Sequence, residues 1–376
     1  MKIAVNTRLL LSDKLDGIGW FTLETLRRLV RNHPEVEFHF IFDRPFASEF
    51  ILGQNVVPHV VGPPARHPIL MRIWYDTMVP LLLRRIKPDL FISPDAQASL
   101  TTRFPQLLVI HDINFEHYPM DVPTAFRSYL RNRSIKWAQK VDRIVTVSAF
   151  SKQDIVSKYK VPEEKVDVAY NGVNELYTPL TEEEKMVVKR KYTQGKDYFV
   201  FVGSIHPRKN LQRLLPAFKQ FKERTGSDMK LVIVGSPYWK DQRIREAFDL
   251  FKGSDDLVLT GRLAASDLKG VVGAAMSSVY VSYFEGFGIP IVESFKAGVP
   301  MITSNVSSMP EVAGDAAICV DPMRVDEIAE AMIRMASDAA LRANLIERGF
   351  ERVKLFNWDH TADVLWESIT KVLHHG

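Results

Sequence analysis

The sequence predicts an α/β chain built from two Rossmann-like halves, each a parallel sheet covered by helices on both faces. Three observations carry this. Short runs of β-branched and aromatic residues alternate with longer helical patterns almost from end to end. The alternation pauses once, at NGVNELYTPLTEEE (171–184), where Asn171-Gly172 and Pro179 mark a break. A length of 376 residues also exceeds one ordinary core and suits two domains.

In chain order, KIAVN, EFHFIF, NVVPHVV, DLFIS, LLVIH, RIVTVS and KVDVAY read as the strands of the first half. Helical spacing falls between several of them, near residues 19–32, 70–86, 122–140 and 149–159. The second half begins with YFVFVG and continues through KLVIVG, LVLTG, SVYVS, VPMIT and AAICV. A last helix over 358–373 follows KLFNWDH and is expected to fold back onto the first half. The domains are therefore drawn at 1–174 plus 358–376, and at 175–357. In open parallel sheets, ligands sit beyond the carboxyl ends of the strands. Two such sheets facing each other predict a site in the cleft between them.

Composition excludes several classes. With 46% hydrophobic and 25% charged residues the chain reads as an ordinary soluble globular protein. The lone Cys319 rules out an intrachain disulfide framework, and its apolar setting AAICVDP predicts a buried side chain in a reducing compartment. No run approaches the ~18 apolar residues of a membrane span. MKIAVN passes straight into a strand without a signal peptide's apolar core, so a cytoplasmic location is expected. The net charge of +4 is concentrated in the first half, yet lacks the basic–aromatic interleaving of a nucleic-acid binder. Residues 127–143, RSYLRNRSIKWAQKVDR, hold six basic groups and one acid on an expected helix. They form either a solvated helix face or a surface for an anionic acceptor or anionic lipid headgroups at the inner membrane face.

The strongest chemical segment runs from Ser282 to Glu293, SYFEGFGIPIVE, after the strand SVYVS. Gly286 and Gly288 permit close backbone approach to a ligand, and Pro290 suits the first turn of a new helix whose N-terminus can meet a phosphate. Glu285 sits in the loop, where a carboxylate can accept from sugar hydroxyls, and Glu293 lies about one turn into the helix, within reach of a ribose diol. The competing reading is a plain strand-to-helix turn with solvated acids. A second strand end, FVGSIHPRKN (201–210), places Arg208 and Lys209 at the start of a helix, an unfavourable place for cations unless an anion meets them. A nucleotide diphosphate would supply that anion; otherwise the pair is surface charge. A third loop, Asp16-Gly17-Ile18-Gly19, separates the first strand from the first helix and by itself is a weak signal. His111 ends LLVIH and either faces the cleft to bind a substrate hydroxyl or pairs locally with Asp112. The other histidines, His374-His375 included, show no metal-ligand spacing, and no D-x-D offers a carboxylate cage for a divalent cation.

Together these residues resemble the GT-B glycosyltransferases of family 4, a retaining, nucleotide-sugar-dependent class, over nearly the whole chain. The most specific match is EGFGIPIVE, Glu285 to Glu293, which corresponds to the family's E-x7-E motif. AGVPMITSNVSSMPEVAGDAA (297–317), GSIHPRKN (203–210), DGIG (16–19), VIHD (109–112) and the closing FNWD (356–359) match in the same order. The resemblance implies a GT-B fold of two Rossmann-like domains and residue roles that follow the motifs. Glu285 would contact donor-sugar hydroxyls, Glu293 the ribose, and Lys209 the diphosphate. Many members carry Arg after the glycine matching Gly203; here that place is Ser204, and Arg208 is expected to supply the charge. His111 matches the histidine near the reaction centre, Gly17 and Gly19 the loop beside the diphosphate. Gly286, Phe287, Gly288 and Ile289 match the donor loop. The backbone around Arg262-Leu263 matches the base site.

The implied chemistry is hexose transfer from a nucleotide sugar, with retention and without a metal or other cofactor. No motif side chain is an evident covalent nucleophile, which favours same-face departure and attack with the leaving phosphate oxygen taking the acceptor proton. The style of the motifs is similar to bacterial mannosyltransferases of polysaccharide assembly, which points to GDP-mannose and a saccharide or lipid-linked saccharide acceptor. A nucleotide-sugar epimerase or phosphorylase of the same fold, or a non-catalytic nucleotide-sugar-binding module, are the alternatives. A phosphorylase would need a pyridoxal lysine and a longer chain.

Overall fold

A computed structural model of the protein describes residues 1–12, 15–236 and 241–374. His375, one of the two C-terminal histidines considered above, lies outside the described residues. The chain divides into one compact unit of Met1–Gly172 with Asn357–Gly376, and a second of Val173–Phe356.

The described residues of the first unit form a parallel sheet of β1 (Lys2–Asn6), β2 (Glu37–Phe42), β3 (Val56–Val60), β4 (Leu90–Ser93), β5 (Gln106–Val109), β6 (Arg143–Thr146) and β7 (Val166–Val168). Their order is β3-β2-β1-β4-β5-β6-β7, so the topology reverses between β1 and β4. The central strands are buried on both faces, which is why they read as unbroken apolar runs rather than alternating ones. Pro58 is tolerated because β3 is the edge strand, where its missing N–H costs no ladder bond. The expected 70–86 helix is helical in three consecutive pieces, Pro68–Ile73, a π-helical turn Trp74–Met78, and Val79–Ile86.

The C-terminal helix, Trp358–His374, packs on the helix Gly17–Asn32 and on the sheet of this unit. It is held by Arg28 to Asp359 (2.9 Å), by Thr361 Oγ1 to the Tyr170 carbonyl (2.6 Å), and by Ser368 Oγ to Asp167 (2.7 Å). Gly172 shows why the break expected at Asn171-Gly172 needs glycine. A Cβ there would sit 2.4 Å from the Trp358 backbone nitrogen, inside the van der Waals limit.

In the second unit the strands are β8 (Tyr198–Val202), β9 (Lys230–Val234), β10 (Leu257–Gly261), β11 (Ser277–Tyr280), β12 (Met301–Ser304) and β13 (Ala317–Val320). The order β10-β9-β8-β11-β12-β13 reverses between β8 and β11. Its first helix, Glu182–Thr193, opens with a capping box in which Thr181 Oγ1 accepts from Glu184 N and Glu184 returns a bond to Thr181 N. Cys319 corrects an expectation. It is exposed on the edge strand β13, although partial desolvation raises its thiol pKa.

Candidate functional site

At the switch point of the second sheet, the segments following β8 and β11 meet. Arg208 and Lys209 lie in a single 3₁₀ turn, Pro207–Lys209, one residue before the N-terminus of the helix Leu211–Thr225. Asn210 separates the two elements in a left-handed conformation (φ 64°) and is buried. Its Nδ2 donates to the carbonyls of Val281 (2.9 Å) and Pro322 (2.7 Å), which fixes the turn against the end of β11. Gly203 leads into this loop, donating to the Val234 carbonyl (2.9 Å), and Ser204 is exposed on it.

Glu285 is buried, and its two oxygens are divided between two cations. Oε2 pairs with Arg208 Nη1 and Oε1 with Lys209 Nζ (2.7 Å). Arg208 also donates to the Phe284 carbonyl (2.9 Å). Burial alone would raise the Glu285 pKa, but Arg208 and Lys209 outweigh it and hold the carboxyl at about 2. The anion beside these cations within the chain is Glu285, so the pair is not simple surface charge. Tyr280 completes the cluster. Its buried hydroxyl contacts Lys209 Nζ, which lies 4.8 Å from the ring centroid, and burial lifts its pKa well above the usual phenol value.

The loop after Glu285 is pinned from below. Ser308 Oγ donates to the carbonyls of Glu285 (2.9 Å) and Phe287 (3.0 Å), and Glu285 N donates to Ser307 Oγ (3.1 Å). Gly288 takes φ 103°, which an L side chain rarely adopts, and turns the chain into the helix Ile289–Lys296, with Pro290 in its first turn. Gly286 and Phe287 lie in the loop itself. Glu293, one turn into that helix, bonds to the Tyr177 hydroxyl; burial pushes its carboxyl up to about 8, so it is protonated at neutral pH. Arg262 is exposed on the loop after β10, while the Leu263 side chain packs against the apolar core of this unit.

In the first unit, Asp16-Gly17-Ile18-Gly19 is not a free loop. The helix begins at Gly17, with Asp16 capping it by accepting from Gly19 N (3.0 Å). His111 lies two residues beyond β5. Its Nε2 bonds to the Pro94 carbonyl (3.1 Å) and its ring meets the edge of Phe21 at 5.0 Å. Asp112 instead accepts from Asn114 N (3.0 Å), closing a local turn. Burial lowers the His111 pKa and so favours the neutral ring. A neutral imidazole whose Nε2 faces a carbonyl carries its proton there and keeps Nδ1 as an acceptor.

The structure therefore joins Arg208, Lys209 and Glu285 directly, places Gly203, Ser204 and the Gly286–Ile289 loop around them, and sets Glu293 on the adjoining helix. His111, Gly17 and Gly19 belong to the other unit. Sequence reasoning missed Tyr280, Ser307, Ser308 and Tyr177. Tyr280 reads as a core strand aromatic, whereas the two serines stood inside the 297–317 run already singled out. No cluster of three His, Cys, Asp or Glu among the described residues is arranged to hold a metal ion.

Residues 15–175 match the family described as Glycosyltransferase Family 4, and residues 182–352 match Glycosyl transferases group 1. Together the two matches span most of the chain, which is a GT-B, family 4-like glycosyltransferase. O-antigen chain mannosyltransferase B of Escherichia coli is 26% identical over 363 residues, covering 92% of this chain and 93% of that protein. Serotype-specific mannosyltransferase WbdA of Escherichia coli is 25% identical over 275 residues, 70% of this chain but only 33% of its own length. Among solved structures, Anabaena HepE in complex with UDP and glucose superposes with a TM-score of 0.77 at 16% identity, covering 98% of this chain and 99% of that one.

Proposed function

We propose that this glycosyltransferase moves mannose from GDP-mannose to a saccharide acceptor, lipid-linked in the cell, during cell-surface polysaccharide synthesis, with retention at the anomeric carbon. The observation that carries the reading is the convergence of Arg208, Lys209 and Glu285 at the switch point of the second sheet. Two cations held beside a glycine loop and a helix N-terminus suit a diphosphate that gains charge as it leaves. The mannosyltransferase relatives support the choice of sugar.

In this reading an incoming diphosphate takes Arg208 and Lys209 away from Glu285, whose freed carboxylate accepts from the sugar hydroxyls. Glu293 engages the ribose, and the backbone at Arg262-Leu263 the base. The bond from the anomeric carbon to phosphate breaks, a bond to the acceptor oxygen forms on the same face, and the acceptor proton passes to the departing phosphate oxygen. Arg208 and Lys209 meet the leaving-group charge, so no metal ion is assigned. His111 Nδ1 is the acceptor that would take a hydroxyl of the transferred sugar.

Peripheral contact with an anionic membrane belongs to the same proposal. On the helix Thr124–Lys140, Arg131, Lys136 and Lys140 are exposed, and Arg127 reaches the sulfur of Met120, a residue that is itself 83% exposed. Arg133 and Arg143 are not part of this surface, being paired with Asp76 and Asp167. Neutralising Arg127, Arg131, Lys136 and Lys140 should abolish a salt-sensitive association with anionic vesicles; wild-type protein that ignores such vesicles at low salt sinks the idea. For transfer, GDP-mannose with a mannoside acceptor should yield an α-linked product by NMR, and Glu285→Ala should yield none while remaining folded. Full activity in that variant removes the assignment.

A further inference from the structure

The first sheet has its own switch point, between β1 and β4, and five side chains close a buried polar network there. The Tyr75 hydroxyl, in the π-helical turn, accepts from Asn6 Nδ2 (2.8 Å) and Arg8 Nε (3.2 Å) and donates to Asp95 Oδ2 (2.6 Å). Asp95 is ion-paired with Arg8 and accepts from Ser93 Oγ (3.2 Å). Arg8 Nη1 continues to the Ala65 carbonyl (3.2 Å). All five side chains are buried. Apolar residues of similar volume would stabilise such a place as well or better, so the network calls for a role in fixing geometry.

What it fixes is the turn at 94–96. Asp95 anchors the turn through its side chain, and Ala96, in a left-handed conformation (φ 62°), anchors it through its N–H to the Val109 carbonyl (2.9 Å). Between these anchors and β4, the Pro94 carbonyl is aimed at His111 Nε2. We infer that Arg8, Asp95 and Tyr75 are positioning residues for His111. By locking this turn they hold the Nε2 proton on Pro94 and leave Nδ1 as the acceptor. This rests on the proposed role of His111 in transfer.

The test is a double-mutant cycle on the full chain, with steady-state transfer kinetics and side-chain ¹⁵N NMR of His111. His111→Ala should lower kcat about 100-fold. Tyr75→Phe should lower kcat about tenfold, leave the donor KM within about twofold, and shift the ¹⁵N signature away from the Nε2–H tautomer. In the His111→Ala background, Tyr75→Phe should change kcat by less than about twofold. Equal losses in both backgrounds, or a lower kcat with an unchanged ¹⁵N signature, overturn the inference. If melting curves show that Tyr75→Phe fails to fold, Arg8→Lys takes its place in the cycle. A His111→Ala variant with wild-type kcat instead removes the role of His111 itself, an outcome distinct from failure of the network.

Discussion

Replacing Glu285 by glutamine keeps the size of the side chain and deletes its charge, leaving Arg208 and Lys209 beside a neutral amide. The folded chain holds this carboxyl at about 2 instead of its ordinary 4.5. That difference is a preference for the charged form of about 3 kcal/mol. It agrees with the 3–5 kcal/mol typical of breaking one side of a buried ion pair. For a folding unit of this size, about 3 kcal/mol lowers Tm by roughly 6–12 °C. Because the folded pKa is depressed, the stabilisation is complete above about 4.5 and disappears as pH falls through about 2. The gap in Tm between wild type and Glu285→Gln should therefore be constant from pH 7 to 5 and narrow below 4.5. Differential scanning calorimetry at pH 7, 5 and 3.5 measures it directly. The same variant separates binding from transfer. With the carboxylate gone, a nucleoside diphosphate should bind at least as tightly as to wild type, while transfer falls by more than about 100-fold. An unchanged Tm at pH 7, or wild-type transfer, refutes the reasoning.

Other expectations follow from the same geometry. Glu293 has a raised folded pKa, so its contribution to stability is complete below 4.5 and is lost as pH rises through about 8. Glu293→Gln should flatten that decline in a pH series of melts and raise the donor KM about tenfold. Gly172→Ala should destabilise the first unit by about 1–3 kcal/mol in chemical denaturation, since the new methyl collides with the Trp358 backbone. His39 Nδ1 and His59 Nε2 lie 2.9 Å apart, and burial lowers both pKa values. Stability should fall as pH drops below 6.5, and His59→Gln should reduce that acid sensitivity in urea titrations.

The strands were legible because parallel strands covered on both faces leave unbroken apolar runs, as in LFIS and KLVIV. The glycine loop was legible because Gly288 must adopt φ 103°. Partners distant in sequence were not. Glu285 lies 77 residues from Arg208, and Arg8 lies 87 from Asp95, so nothing local announces either pair. The Glu285 side chain looked like a loop acid open to sugar, yet in the folded chain it answers the two cations. Tyr280 and Tyr75 each resemble core aromatics, and only the fold shows where their hydroxyls point. Cys319 was misplaced because its neighbours are apolar, whereas exposure on an edge strand depends on which side of the sheet is left uncovered.

The most direct measurement is calorimetric titration of GDP, UDP, ADP and dTDP into wild type and Lys209→Ala, each with and without EDTA. Wild type should bind one of the four, GDP above the others, with an affinity that EDTA leaves unchanged. Lys209→Ala should bind that nucleotide at least about tenfold more weakly. Equal affinity in wild type and Lys209→Ala would contradict the assignment of the diphosphate to this cluster.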